Sequence, residues 1–349
     1  MDNPERILII RLSAIGDVVM ASPLIGAFRR TYPDSRISWL VEKGSKDVLS
    51  GNPELDEVIV WPRDEWRRLL KGWRFIKLIK EVFAFIRKLR QKPGYDLALD
   101  AQGLLKSGIW AFLSGAKVRA GIGSKEGSRF LMTRVIDRSG ASDRISSQYL
   151  LGAEALGLDT SDFSMRFPTG PEGDRFVDSV MSRAGIGDRF AVFCPFTTRP
   201  QKHWIEERWG ELAGLISNEL GMPVMILGGP GDKEAAGRIR ESAVKRFIDM
   251  AGETTIKQAA GLIKGSSLLV GVDTGLTHMG IALGAPTVAL FGATCPYLDT
   301  GSETAAVIYH PMECSPCRRN PTCDGKFPCM ASITVNEVME TVADLTVKR

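Results

Sequence analysis

Residues 7–17 read ILIIRLSAIGD, four apolar residues that run into a short polar turn. A helical pattern of apolar residues follows over residues 18–30. A buried strand, a turn and a helix in this order predict the first unit of a parallel α/β sheet. Ser13, Gly16 and Asp17 are therefore placed at a strand-to-helix turn, the position at which such sheets bind ligands.

Two roles are open to Asp17. An aspartate at the start of a helix commonly caps the exposed backbone N–H groups. The same carboxylate, held at the mouth of a ligand cleft, would serve as a general base. A helix N-terminus stabilises the carboxylate and so weakens it as a base, which counts against the second role.

The strand-and-helix pattern recurs along the whole chain. Short apolar runs alternate with stretches of helical periodicity, such as Trp209 to Leu220 and Ile256 to Leu262. A segment rich in Pro, Gly and Asp separates two such series and puts a domain boundary near Pro171. We therefore expect two doubly wound domains that face one another across a cleft at the carboxyl ends of their strands. The predicted strands are 7–11, 37–41, 58–61, 97–99, 190–194, 224–227, 268–272 and 287–291.

Length and composition agree with a two-domain globular protein. The chain has 349 residues, of which 44% are hydrophobic and 25% are charged, as in ordinary globular domains. No run approaches the ~20 apolar residues that a membrane-spanning helix needs. The first residues lack the pattern of a signal peptide, and six cysteines are too few for a disulfide-stapled secreted domain. These features predict a cytoplasmic protein.

The positive charge of the chain is concentrated in residues 63–92. This segment holds eleven Lys and Arg against three acidic residues, a local charge of +8 in a chain whose net charge is +4. Apolar side chains follow helical spacing on one side, at Trp66, Leu69, Leu70, Trp73 and Ile76. The opposite side carries Arg67, Arg68, Lys71 and Arg74.

An amphipathic basic helix of this kind has three interpretations. It is a packed helix with a solvated outer face, a helix that lies on a membrane surface, or a contact for nucleic acid. Two tryptophans among the arginines favour lipid headgroups over nucleic acid.

In the second half, two strand ends carry groups suited to a diphosphate. After the strand 190–194 come Thr197, Thr198 and Lys202, whose hydroxyls donate hydrogen bonds and whose ammonium cancels charge. After the strand 268–272 the chain reads DTGLTH at residues 273–278. Gly275 allows close backbone approach there, and the N–H groups of the helix start bind an anion. Together the two runs predict one phosphate site, beside which His278 is either a phosphate donor or a structural histidine.

Other ligand motifs are incomplete. Gly121, Gly123 and Gly127 are one residue away from G-x-G-x-x-G and lie far from the first strand, which disfavours a dinucleotide fold. Three histidines in the whole chain argue against a His-rich metal site.

Four of the six cysteines lie close together near the end of the chain, at Cys314, Cys317, Cys323 and Cys329. Only one C-x-x-C pair is present, and the second pair is spread too far for a zinc ribbon. Structural zinc, one or two disulfides and reduced loop thiols remain open, and the pattern favours reduced thiols.

Five stretches together resemble one known family. They are IIRLSAIGDV at 9–18, DAQGLLKS at 100–107, TTRPQKHWIEERW at 197–209, LGGPGDKE at 227–234 and VDTGLTH at 272–278. The chain resembles the lipopolysaccharide heptosyltransferases, glycosyltransferase family 9, over nearly its full length. The second and third stretches and the basic Trp-rich helix look most like heptosyltransferase I, whereas the cysteine-containing tail looks more like heptosyltransferase II.

The resemblance implies a GT-B fold and an enzyme. The expected domains are an N-terminal acceptor domain at 1–170 and a C-terminal nucleotide-sugar domain at 171–349, with a final helix at about 335–347 that returns to the first domain. The implied reaction is an inverting transfer of heptose from ADP-L-glycero-β-D-manno-heptose to the Kdo-lipid A inner core of lipopolysaccharide. The alternatives are heptosyltransferase II or another core sugar transferase of the family, and a non-catalytic nucleotide-sugar-binding protein.

The location and partners that the resemblance implies follow from that lipid acceptor. The enzyme is expected on the inner face of the cytoplasmic membrane, with residues 63–92 against the anionic surface. No nucleic acid partner and no metal or other cofactor are expected.

Site residues carry over with the matching stretches. Asp17 is the implied base and Lys202 the cation that receives the departing diphosphate. The implied donor-binding residues are Thr197, Thr198, Lys202, Glu234, Thr254, Asp273, Thr274, Gly275 and His278. The implied acceptor-binding residues are Ser13, Gly16, Gln102, Gly103, Lys106, Lys125 and Arg129.

Overall fold

The chain divides into two compact units. The computed structural model describes residues 3–90, 93–242, 247–294, 297–317 and 319–347. The first unit comprises residues 1–142 and 146–168, and the second comprises 143–145 and 169–349. The division falls two residues before the predicted end of the first domain at residue 170.

The first unit is built on a six-stranded parallel sheet. Its strands are β1 (Arg6–Ile10), β2 (Arg36–Glu42), β3 (Glu57–Trp61), β4 (Leu97–Asp100), β5 (Val118–Ile122) and β6 (Arg134–Ile136). They lie in the order β3-β2-β1-β4-β5-β6. Residues 7–10 of β1 are fully buried, because a central parallel strand is covered by helices on both faces.

Six α-helices accompany this sheet in the described residues of the first unit. They are α1 (Ile15–Ala21), α2 (Pro23–Thr31), α3 (Arg63–Lys71), α4 (Phe75–Leu89), α5 (Leu105–Leu113) and α6 (Ser147–Ala155). The single helix predicted for residues 18–30 is therefore wrong, since the chain forms two helices there. Pro23 begins the second of them, where its missing N–H costs no intrahelical hydrogen bond.

The second unit repeats the same winding. Its strands are β7 (Ala191–Cys194), β8 (Val224–Ile226), β9 (Phe247–Asp249), β10 (Leu268–Val272), β11 (Thr287–Phe291) and β12 (Ala305–Tyr309). They are parallel, in the order β12-β11-β10-β7-β8-β9. The helices are α7 (Gly170–Ala184), α8 (Glu206–Glu219), α9 (Lys233–Ser242), α10 (Ile256–Gly265), α11 (Gly275–Ala282), α12 (Pro328–Ala331) and α13 (Val335–Val347).

Each sheet reverses its strand order beside its first strand. β1 pairs with both β2 and β4, and β7 pairs with both β8 and β10. Connections leave such a point toward opposite faces of the sheet, so a crevice opens at the carboxyl ends of the two strands. The predicted fold class, two doubly wound α/β domains, is confirmed, and each domain carries one such crevice.

The terminal helix α13 belongs to the second unit. It contacts α8, β11 and β12, and its residues Val338 and Val342 are fully buried in the core of that unit. The apolar residues at 335, 338, 342 and 345 form one stripe along the helix, and this stripe packs in the core of the second unit. The predicted return of this helix to the first domain stays a prediction.

The helices of the described ranges are too short or too polar to cross a bilayer.

Candidate functional site

Asp17 lies in the turn after β1, in the first turn of α1. Its Oδ2 accepts a hydrogen bond from the backbone N–H of Ala14 at 3.1 Å and lies 2.6 Å from a guanidinium nitrogen of Arg11. Within the described ranges, no protein group bonds the other oxygen, Oδ1. The side chain is 36% exposed. The two roles predicted for Asp17 are thus compatible, because one oxygen caps the helix while the other stays open.

Arg11 is the buried cation that orients Asp17. Its side chain is only 10% exposed. Burial disfavours the charged guanidinium, yet the neighbouring Tyr149, Asp17 and Asp100 raise the pKa of Arg11 above its ordinary value. Burial also raises the pKa of Tyr149 to about 12, and its hydroxyl lies 3.5 Å from the backbone oxygen of Asp17. Asp17 is therefore held by a permanent positive charge.

The turn after β4 adjoins the turn after β1. Gln102 Oε1 accepts a hydrogen bond from the backbone N–H of Leu12 at 3.0 Å. Asp100, whose pKa burial raises, accepts from the backbone N–H groups of Gln102 and Gly103 at 3.0 Å each. Gly103 has φ +67°, and a Cβ there would lie 2.4 Å from the carbonyl oxygen of Ile122. Gln102 and Gly103 thus shape the crevice, and their contact with the acceptor stays a prediction.

The predicted acceptor-binding cations lie in the segments after β4 and β5, with Lys106 in the first turn of α5. Lys106 Nζ is 3.2 Å from one oxygen of Glu42, and Arg63 is 2.9 Å from the other. Lys125 and Arg129 are exposed, and the backbone N–H of Lys125 donates to Gly103 at 2.7 Å. These segments follow strands parallel to β1, so they bring cations to the edge of the sheet at which Asp17 lies.

An ion pair joins the two predicted anion-binding runs of the second unit. Lys202 Nζ lies 2.6 Å from Asp273 Oδ2, and both side chains are largely buried. His278 Nε2 lies 3.1 Å from Asp273 Oδ1, and the hydroxyl of Thr294 donates to Oδ2 at 2.5 Å. Burial alone would raise the pKa of Asp273, but the bond and charge of His278, together with Lys202, hold it well below its ordinary value.

This geometry changes the interpretation of Asp273. An ionised carboxylate repels a diphosphate, whereas the ammonium of Lys202 and the N–H groups that begin α11 attract one. We therefore interpret Asp273 as the residue that positions Lys202 and His278, rather than as a direct contact of the donor phosphates.

Buried neighbours fix the loop that carries Lys202. Gln201 and Trp204 are buried on either side of it, and Trp204 Nε1 donates to the carbonyl of Ile333 at 2.9 Å. His203 Nε2 lies 2.9 Å from the carbonyl oxygen of Thr197. Thr197 is half-buried and Thr198 is exposed, on the same loop as Lys202.

The start of α11 depends on a close approach to β10. Thr274 precedes the helix and Gly275 is its first residue. The hydroxyl of Thr277 donates to the carbonyl of Val272 at 2.6 Å, and a Cβ on Gly271 would lie 2.2 Å from that hydroxyl. His278 is buried, and within the described ranges its Nδ1 has no hydrogen-bond partner.

Glu234 lies in the first turn of α9, which follows β8, and Thr254 lies in the loop after β9. The Glu234 side chain is 93% exposed and 3.3 Å from Arg238, and Thr254 is half-buried. The backbone N–H of Gly252 donates to Gly228 at 2.9 Å, so the two loops adjoin. Contact of Glu234 and Thr254 with a nucleoside stays a prediction.

Several residues of these networks were not predicted from the sequence, among them Arg11, Tyr149 and Thr294. Arg11 and Thr294 follow the apolar runs of β1 and β11, so their position at strand ends was a usable signal. Tyr149 lies on α6, far from Asp17 in sequence, and no local pattern marks it.

The described cysteines, Cys194, Cys314, Cys317, Cys323 and Cys329, carry free thiols, so the disulfide alternative is not realised among them. Cys295 lies outside the described residues. In the described part of the chain, no three His, Cys, Asp or Glu side chains are grouped so as to hold a metal ion.

Comparison with known proteins decides the family. Residues 82–327 match the model of glycosyltransferase family 9 (heptosyltransferase). The chain belongs to glycosyltransferase family 9. It is therefore a glycosyltransferase, and the resemblance that its sequence motifs indicated is confirmed.

Three relatives of this family 9 enzyme cover nearly its whole length. Lipopolysaccharide heptosyltransferase 1 of Pseudomonas aeruginosa is 31% identical over 91% of this chain and 87% of the relative. Lipopolysaccharide heptosyltransferase 2 of Salmonella typhimurium is 28% identical over 97% of this chain and 98% of the relative. The structure of an Escherichia coli heptosyltransferase with ADP-2-deoxy-2-fluoro heptose superposes with a TM-score of 0.73, at 26% identity over 97% of this chain and 99% of that one.

The Lys202–Asp273 pair predicts a stability effect that is independent of any ligand. Lys202→Ala should destabilise the protein by about 1–3 kcal/mol, because the buried Asp273 loses a charged partner. Lys264→Ala, which removes an exposed lysine 3.7 Å from Asp174, should change stability by less than about 1 kcal/mol. Thermal unfolding of the ligand-free variants measures both.

A double variant supplies the internal check. Adding Asp273→Asn to Lys202→Ala removes the unpaired charge, so the double variant should lose less stability than the sum of the two single changes. Additive losses, or a Lys202→Ala variant as stable as Lys264→Ala, would contradict the pairing.

Proposed function

We propose that this glycosyltransferase moves heptose from ADP-L-glycero-β-D-manno-heptose to the Kdo-lipid A inner core of lipopolysaccharide, with inversion at the anomeric carbon. The observation that carries the proposal is the pair of charges at the two crevices. Asp17 offers an open carboxylate oxygen in the first unit, and Lys202 a positioned ammonium in the second. An inverting displacement needs these two groups, a base for the acceptor and a cation for the leaving diphosphate.

The relatives support ADP-heptose as the donor, but they do not distinguish the acceptor of heptosyltransferase I from that of heptosyltransferase II. The Escherichia coli heptosyltransferase of similar fold was solved with an ADP-2-deoxy-2-fluoro heptose. Identity to the quoted heptosyltransferase 1 is 31% and to the quoted heptosyltransferase 2 is 28%. We favour the first heptose, as in heptosyltransferase I, and keep heptosyltransferase II or another core sugar transferase as the alternative. A non-catalytic nucleotide-sugar-binding protein is disfavoured, because a protein that only binds the donor does not need Asp17 as a base in the acceptor domain.

The reaction is a single displacement. An acceptor hydroxyl oxygen attacks the anomeric carbon of the donor heptose, and its proton passes to Oδ1 of Asp17. The bond between the anomeric carbon and the diphosphate oxygen breaks, and ADP leaves with the electron pair. Arg11 holds Oδ2 throughout, so the carboxylate keeps one orientation while the other oxygen takes the proton.

The departing diphosphate gains negative charge as the bond breaks. Lys202 supplies a cation that Asp273 already orients, so little rearrangement is required during the reaction. The hydroxyls of Thr197 and Thr198 and the N–H groups of Thr274 and Gly275 add hydrogen bonds to the phosphate oxygens. On the acceptor side, the lysines around the first crevice suit the carboxylates of Kdo.

The direct test is incubation of the full chain with ADP-heptose and a panel of Kdo-containing lipid A acceptors, with mass spectrometry of the products. We expect one added heptose on an acceptor that carries Kdo alone. Asp17→Asn should lower turnover by about 100-fold or more while ADP binding stays near that of the wild type, because an amide keeps the cap but cannot take a proton.

Asp17→Ala is the companion variant, because it removes the cap and the base together. Equal turnover losses in both variants, with Asp17→Asn as stable as the wild type, would identify the proton transfer as the lost function. A loss of less than about tenfold in Asp17→Asn would make Asp17 a cap only. Transfer only to acceptors that already carry heptose would favour the alternative acceptor.

Lys202→Ala should weaken ADP binding by about 10- to 100-fold, the value of one charge-assisted hydrogen bond, and lower turnover further. Titration calorimetry with ADP measures the first effect and steady-state kinetics the second. Lys264→Ala is the control, and it should leave both unchanged. An unaltered ADP affinity in Lys202→Ala would remove this lysine from the donor site.

We further propose that the reaction requires no metal, because the ammonium of Lys202 and the start of α11 supply the positive charge at the diphosphate. Purified enzyme should therefore keep its activity after prolonged treatment with a strong chelator. Loss of activity or of folding, with release of about one zinc per chain, would instead show a structural metal at the four tail cysteines.

We propose that the enzyme is cytoplasmic and meets its lipid acceptor at the inner face of the cytoplasmic membrane, with residues 63–92 against the anionic surface. α3 and α4 carry the described part of this segment, and their Lys and Arg side chains are mostly exposed. Each such cation near an anionic bilayer adds about 1 kcal/mol of attraction. No nucleic acid partner is proposed.

A further inference from the structure

The turn between α3 and α4 exposes large apolar side chains. The sequence pattern put Trp66, Leu69, Leu70, Trp73 and Ile76 on one apolar side of a single helix. Leu69 is buried and Trp66 packs against Phe85 and Trp110, but Trp73 is 80% and Ile76 76% exposed. The reason is that α3 ends at Lys71 and the chain turns through residues 72–74 before α4 begins.

Helix α4 carries two apolar stripes. Its inner stripe, Leu78, Val82, Phe85, Ile86 and Leu89, is buried or half-buried. A second stripe, at Ile76, Ile79 and Phe83, recurs at spacings of three and four residues and is exposed along its length. We define the outer face of α4 as Trp73, Phe75, Ile76, Ile79 and Phe83.

Cations border this outer face. Trp73, Phe75 and Ile76 line a surface depression of about 550 Å³ together with Arg74, Lys77 and Lys80. The rings of Trp73 and Phe75 meet edge to face, with centroids 5.6 Å apart. Helical spacing puts Lys80 and Arg87 along the side of the Ile76, Ile79 and Phe83 stripe that is turned away from the core.

We infer that the outer face of α4 inserts into the headgroup and upper acyl region of an anionic bilayer. The inference rests on the proposed function, which requires the enzyme to meet a lipid-anchored acceptor, and it adds apolar insertion to electrostatic docking. Tryptophan, phenylalanine and isoleucine bordered by lysine and arginine are the composition of helices that lie in a membrane interface.

Charge selects a bilayer over a second copy of this chain. The segment 63–92 has a net charge of +8, so two copies would repel each other at this face. An anionic lipid surface attracts the same cations and offers an apolar layer for the exposed stripe.

The salt dependence of vesicle binding distinguishes apolar insertion from electrostatic docking, because salt screens charges and leaves apolar contacts intact. The experiment measures co-sedimentation of the full chain with vesicles of about one third phosphatidylglycerol and two thirds phosphatidylcholine. Binding is measured at low salt and at about 1 M salt, where the Debye length is about 3 Å. Tryptophan emission is recorded in the same samples, with Trp73→Phe to assign the signal.

The test variant is Ile79→Ser with Phe83→Ser, which removes apolar surface and keeps every cation. Its matched control is Val135→Ser with Leu298→Ser, which changes two apolar side chains of similar exposure elsewhere. We expect the wild type and the control to keep binding in high salt and to show a blue shift that Trp73→Phe abolishes. The test variant should bind at low salt, lose at least tenfold in binding at high salt, and show a smaller shift.

Three outcomes would overturn the inference. They are a test variant that binds like the wild type at both salt levels, a wild type that high salt releases completely, and a concentration-dependent dimer that the test variant abolishes. Docking by charge is tested separately by replacing Arg67, Arg68, Lys71 and Arg74 with Glu, which should abolish binding at low salt. Salt-resistant binding without heptose transfer in the acceptor assay would refute the proposed function and leave the insertion standing.

Discussion

The parallel pairing of β1 with β4, and of β7 with β10, is the constraint on which the candidate site depends. Strand order reverses at each of these pairs, so their following turns diverge and leave a crevice between them. Asp17 and Gln102 enter one crevice from its two strands, and Lys202 and Asp273 enter the other. Residues far apart in sequence thus meet within each unit because two strand ends meet.

The two crevices hold groups of opposite charge, and each group is kept in place by an ion pair. In each, a largely buried partner fixes a charged group through an ion pair: Arg11 orients Asp17, and Asp273 orients Lys202. Removing the two charges from water costs desolvation free energy. The pair therefore fixes the orientation of the charged group without greatly stabilising the fold. The first pair leaves one carboxylate oxygen of Asp17 open, and the second places the ammonium of Lys202 beside the start of a helix. An inverting transfer to a hydroxyl requires these two groups, a base for the hydroxyl and a cation for the leaving diphosphate.

The outer face of α4 follows another constraint. A monomeric protein rarely leaves five large apolar side chains together in water, and here they lie within the segment that holds the basic excess of the chain. Apolar and basic groups on one surface match an anionic bilayer, whose interface offers both an apolar layer and negative charge.

The doubly wound class, eight of the twelve described strands, the helix 335–347 and the turns that carry the site follow from the sequence alone. Buried parallel strands are continuous apolar runs, and turns at their ends keep glycine, hydroxyl and charged residues. The remaining features depend on the folded structure. Four strands were not predicted. β6, β9 and β12 are edge strands with partly exposed residues, and in β5, which reads VRAGI, Arg119 and Gly121 interrupt the apolar run. The break before α4, the packing of α13 and the position of Tyr149 beside Asp17 depend on contacts between distant residues, which local periodicity does not encode.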